Sequence, residues 1–74
     1  MSEYTLDVKG LNCPLPILKA RKMLKTLSYG DLLTIETTDP GSAKDFESFC
    51  VQTGNELVSS NEINSVFVFE IKRL

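Results

Sequence analysis

Cys13 is followed at once by Pro14 and, one residue further on, by Pro16, within the stretch Gly10-Leu11-Asn12-Cys13-Pro14-Leu15-Pro16-Ile17. A thiol just ahead of a helix start lies where unsatisfied backbone N–H groups carry partial positive charge, which favours the thiolate. This placement predicts a depressed pKa for Cys13 and reaction ahead of the second cysteine, Cys50. Zero histidines leave the chain without a Cys–His nucleophile pair, a histidine general base or the usual zinc ligands, so hydrolysis is not expected of it. What a thiol can still do without a base is exchange sulfur: attack a disulfide or persulfide, hold a terminal sulfur atom, and surrender it to another thiol. That chemistry needs no cofactor and no metal. The alternative is an inert small residue in a tight loop. Cys50, beside Phe49 on an apolar stripe, reads as core.

The elements that must position Cys13 follow from periodicity. Tyr4, Leu6 and Val8 alternate with polar residues and are closed by Gly10, which predicts a first strand. From Pro14 to about Ser28, Ile17, Ala20, Leu24 and Leu27 recur at helical spacing, with Leu15, Leu18 and Met23 widening the stripe. Both prolines are compatible with the first turn, where an N–H has no intrahelical partner to lose. Cys13 is then near the N-cap. Leu32 to Thr37 reads as a second strand, and Asp39-Pro40-Gly41-Ser42 as a turn. A second helix is expected from Ser42 to Gly54, with Asp45 as a capping-box partner and Phe46, Phe49 and Cys50 on its apolar face. A short strand around Leu57-Val58, a turn over Asn61 to Asn64 and a strand from Val66 to Lys72 complete the chain as a hairpin. The order βαβαββ predicts an α+β two-layer sandwich, with two helices on one face of a four-stranded mixed sheet. Cys13 falls in the loop leaving the carboxyl end of the first strand, where such layers usually carry reactive groups.

A chain of 74 residues allows one small domain, residues 1–74, with a thin core. Two widely separated cysteines do not make a disulfide scaffold, and the amino-terminal residues lack the build of a secretory signal, so a reducing, cytoplasmic setting is expected. The apolar runs are too short for a membrane span. A net charge of −2 argues against direct nucleic-acid binding. Yet Lys19, Arg21, Lys22 and Lys25 fall together in the first helix, whereas residues 31 to 70 hold eight carboxylates and one base, Lys44. The basic helix is either an ordinary solvated face or a docking surface for an acidic protein.

These residues resemble a known family, the TusA-like or SirA-like sulfur carriers. Its pattern D-x-x-G-L-x-C-P-x-P is matched without gaps by Asp7, Gly10, Leu11, Cys13, Pro14 and Pro16. The likeness continues through Thr38-Asp39-Pro40, Asp45-Phe46, Phe49-Cys50 and Gly54 to Leu57. One departure is Asn55, where many members carry histidine. The resemblance implies that Cys13 takes persulfide sulfur from a cysteine desulfurase or rhodanese-type donor and passes it to an acceptor protein thiol. The settings it implies are transfer-RNA thiolation, cofactor maturation and sulfur oxidation. It leaves a second reading open, a regulatory or RNA- or protein-binding module that uses the same small fold as a platform. A monomer is expected in either case.

Overall fold

The computed structural model describes residues 2–74. The order is β1 (Glu3–Asp7), α1 (Leu15–Leu24), β2 (Leu32–Thr37), α2 (Ser42–Thr53), β3 (Glu56–Ile63) and β4 (Val66–Lys72). The four strands form one sheet in the order β1-β2-β4-β3. β1 runs parallel to β2, as a strand-helix-strand crossover requires, and β4 is antiparallel to both β2 and β3. The expected mixed sheet with both helices on one face is present.

Alternation decides which face is covered. Leu33, Ile35 and Thr37 of β2 are buried, while Leu32, Thr34 and Glu36 between them are half-buried on the opposite face. Phe69 and Ile71 of β4 pair with Ile35 and Leu33 and extend the buried surface. Against it α1 lays Ala20 and Leu24 and α2 lays Phe46, Phe49 and Cys50; Val8 and Leu27, just outside the regular elements, complete the core. Phe46 sits at the centre, its ring centroid 5.0 Å from Phe69 and 6.2 Å from Phe49. An aromatic cluster of this kind supplies much of the buried area that a chain this short can gather.

Several boundaries differ from expectation. α1 ends at Leu24 because the chain tightens there: Thr26 N–H and Leu27 N–H donate to Met23 O and Leu24 O at 3.0 and 3.2 Å. The guanidinium Nε of Arg73 donates to Leu24 O at 3.1 Å, satisfying a carbonyl at the helix end. Leu15 and Leu18, expected on the apolar stripe, are 44% and 52% exposed, because the stripe facing the sheet runs through Pro16, Ala20 and Leu24 instead. β3 is eight residues long and reaches Ile63, so the turn is Asn64-Ser65 and not Asn61 to Asn64. Both turn residues have positive φ, 50° and 66°, as a two-residue hairpin turn matched to the strand twist demands.

Candidate functional site

The loop after β1 is built backbone group by backbone group. Parallel pairing aligns Asp7 with Glu36, so the segments leaving β1 and β2 emerge side by side. The contact continues past the strands: Val8 N–H donates to Glu36 O at 2.8 Å, Gly10 N–H to Thr38 Oγ1 at 2.9 Å, and Cys13 N–H to Asp39 Oδ2 at 2.9 Å. Gly10 takes φ +82°, a conformation open to glycine at little cost, and this turns the chain toward α1. Asp7 accepts Lys9 N–H at 3.0 Å, and the Lys9 ammonium pairs with Glu36 at 3.0 Å and with Asp7 at 3.6 Å. Asp7 thus shapes the turn. Leu11 packs half-buried against the core. Pro14 is the N-cap of α1 and Pro16 is buried in its first turn. Asp7, Gly10, Leu11 and Pro16 therefore hold the loop, and Cys13 stands exposed at its tip.

The thiol lies in acidic surroundings. Sγ of Cys13 and one carboxylate oxygen each from Asp39 and Asp45 lie within 4.8 Å of one another. Asp39 bridges two loops, accepting Gly41 N–H on Oδ1 at 3.1 Å and Cys13 N–H on Oδ2. Asp45 was expected as a capping-box partner of Ser42. The N-cap is Gly41, which has no side chain to form the cap hydrogen bond, and Ser42 is buried with its Oγ 3.4 Å from Thr37 Oγ1. The Asp45 carboxylate instead faces the Cys13 thiol, with one oxygen within 4.8 Å of Sγ.

The expected depressed pKa of Cys13 is therefore overturned. The adjacent Asp45 carboxylate acts first, then desolvation, then the negative charges of Asp45 and Asp39, and together they hold the thiol above its ordinary value. The helix terminus does not offset them. Pro14 and Pro16 bring no N–H, and Leu15 N–H is spent on Asn12 O at 2.9 Å. The prolines that mark the helix start thus remove donors that would have stabilised a thiolate. Three converging donor atoms suggest a cation, but one soft thiol and two hard carboxylates match no single metal preference.

Cys13, Pro14, Ile17 and Arg21 line one side of an open groove of about 230 Å³, and Asp45, Ser48, Phe49 and Gln52 of α2 line the other. The guanidinium of Arg21 lies 5.3 Å from the Phe49 ring centroid. Lys19, Arg21 and Lys22 of α1 and Lys25 at its C-cap do not form one surface. Arg21 and Lys25 border a second cavity of about 280 Å³ with Phe49, Thr53, Asn55 and Arg73, while Lys19 and Lys22 border another of about 270 Å³ beside Leu6 and Met23. Asn55 is fixed there by two hydrogen bonds, Nδ2 to Thr53 Oγ1 and Oδ1 from Leu74 N–H, both at 3.0 Å. Cys50 is 4% exposed and its thiol is pushed up to about 11 by burial, as a core residue should be. Sequence alone does not place Asp39 and Asp45 beside Cys13. The parallel register of β1 and β2 brings Asp39 to Cys13, and the start of α2 brings Asp45.

Residues 4–73 match the family model described as sulfurtransferase TusA. The chain is 56% identical over 71 residues to the sulfur carrier protein TusA of Allochromatium vinosum, covering 96% of this chain and 93% of the relative. It is 36% identical over 71 residues to the TusA of Pseudomonas entomophila, covering 96% and 89%. The crystal structure of a SirA-like protein from Desulfitobacterium hafniense superposes with a TM-score of 0.82 at 24% identity, covering 93% of this chain and 95% of that one, and shows the same fold.

Proposed function

The chain belongs to the TusA family, and from that premise we propose that it is a sulfur carrier whose Cys13 accepts a sulfur atom as a persulfide and hands it to another protein's thiol. The observation that carries this reading is the position of Cys13. It is exposed at the tip of a loop tied to the β2–α2 segment by the Gly10 and Cys13 N–H groups, while Cys50 is buried. Sγ attacks the outer sulfur of a donor persulfide, the new S–S bond forms as the donor's S–S bond breaks, and the donor leaves as a thiolate that takes up the proton from Cys13. No electron is gained or lost overall, so no cofactor is required. A cysteine desulfurase or a rhodanese-type protein is the fitting donor class, since either presents sulfur on a cysteine.

Incubation with a cysteine desulfurase and cysteine should add the mass of one sulfur atom, and a reductant should remove it. Cys13→Ser should abolish the gain and keep the fold, because this side chain is exposed and the helix cap belongs to Pro14. Cys50→Ser should keep the gain. A Cys13→Ser chain that still accepts sulfur would transfer the role to Cys50. A wild-type chain that accepts none from either donor class would leave the interaction-module reading in possession.

A further inference from the structure

The Asp45 carboxylate faces Cys13 from α2 on the open groove between the helices, and Asp39 faces the same thiol from the β2–α2 turn. We propose, on the reading of Cys13 as the sulfur-carrying residue, that Asp45 is a positioning residue that decides by charge what can react with it. Its carboxylate faces Sγ and turns away anionic sulfur reagents, so sulfur comes from a protein that brings its own cationic group to the thiol.

Three observations support this. Asp45 is half-buried in the first turn of α2, whose backbone is fixed there by Asp45 N–H donating to Gly41 O at 3.3 Å, so the carboxylate starts from a set position beside the thiol. Asp39 is fixed by two backbone donors, Gly41 N–H and Cys13 N–H, and cannot swing away. The cation lining the groove from α1 is Arg21, and its guanidinium is engaged over the Phe49 ring at 5.3 Å. The carboxylates therefore dominate the field at Sγ, and the raised thiol pKa has the sign that follows. A persulfide or polysulfide anion approaching alone meets like charge. A partner lysine or arginine beside its own reactive sulfur would pair with Asp45 and release the thiolate where the sulfur is waiting.

Alkylation of the intact folded chain tests this without any sulfur donor, so its outcome is separate from that of the carrier reading. The rate at Cys13 is followed against pH with neutral iodoacetamide and anionic iodoacetate, by peptide mass mapping. Asp45→Asn should move the midpoint to lower pH and raise the iodoacetate-to-iodoacetamide rate ratio about fivefold at low salt, the size expected for one charge removed at close range in water. Asp45→Glu, which keeps the charge, should leave both near wild type. The difference in ratio should shrink as salt rises. Asp45→Ser serves as the second charge-free variant if melting shows that Asp45→Asn does not fold. A midpoint and ratio in the folded charge-free variant equal to wild type would overturn the proposal. So would a midpoint that moves upward, the behaviour of a chain that has lost a base.

Discussion

At the residue scale the two cysteines are separated by accessibility, and not by which of them is the more acidic. Both thiols are held above the ordinary value, Cys13 chiefly by the adjacent Asp45 carboxylate and Cys50 by burial to about 11. Only Cys13 is exposed. A maleimide should therefore label Cys13 in the folded chain and reach Cys50 only on unfolding, as peptide mapping would show; equal labelling of the two in the native state would contradict the structure. Cys50 also gives a stability signature. Its folded-state pKa lies above that of an unfolded thiol, so its contribution is intact below about pH 9 and is lost as pH rises toward 11. Chemical denaturation between pH 8 and pH 11 should show a steeper loss in wild type than in Cys50→Ala, which itself costs about 1 kcal/mol at neutral pH, the common size of a small core truncation. Asp31 acts at the other end of the scale. It accepts Ser28 N–H at 2.9 Å and Ser2 N–H at 3.0 Å, which lowers its pKa, so its stabilisation is present near neutrality and fades as pH falls below the carboxylate range.

Among the elements, those with a strong period were legible in the chain and those without one were not. β2 alternates residue by residue between buried and half-buried, and α2 carries Phe46, Phe49 and Cys50 at helical spacing, so both were readable. The far half of β3 was not. Ser59 to Glu62 are polar residues on an edge strand, with a register shift between Leu57 and Ser59 that breaks the alternation, and only pairing with β4 reveals them as strand. Cys13 was legible from its prolines and glycine. Its acidic neighbours were not, because Asp39 is 26 residues away in sequence and meets it through strand pairing. Asn64-Ser65 gives the hairpin its own test, since Ser65 holds φ 66° with a side chain that disfavours it. Ser65→Gly should stabilise the chain by about 0.5 kcal/mol after the added freedom of glycine in the unfolded state is counted, raising Tm by roughly 2–4 °C. Ser65→Val should lower Tm, because a β-branched side chain is strained at that φ. A Ser65→Gly chain with an unchanged or lower Tm would argue against this turn.

Over the whole molecule, charge is divided between the helix that follows Cys13 and the rest of the surface. Residues 31 to 70 hold eight carboxylates against one base, and α1 presents Lys19, Arg21 and Lys22 with Lys25 at its end. Among the described residues the ion pairs are those of Lys9 with Asp7 and Glu36, and none of them involves the α1 cations. Their division between two sides of the helix gives them different opportunities. Arg21 lies in the groove that holds Cys13 and is engaged with Phe49, whereas Lys19 and Lys22 face outward beside Leu6 and Met23, near the edge strand β1. An acidic partner approaching Cys13 would be steered mainly by the second pair, and the exposed Leu15 and Leu18 on the same helix would supply apolar contact after encounter. Lys19→Glu with Lys22→Glu should slow association with a sulfur-donating partner about tenfold at low salt and flatten its salt dependence, because steering acts on the on-rate and is screened within a Debye length. Thermal stability should be nearly unchanged, since both side chains are exposed and belong to no ion pair of the described residues. Stopped-flow association across a salt series decides the matter: rates that match wild type at every ionic strength would return these lysines to an ordinary solvated face and leave steering to Arg21 and Lys25 on the other side of the helix.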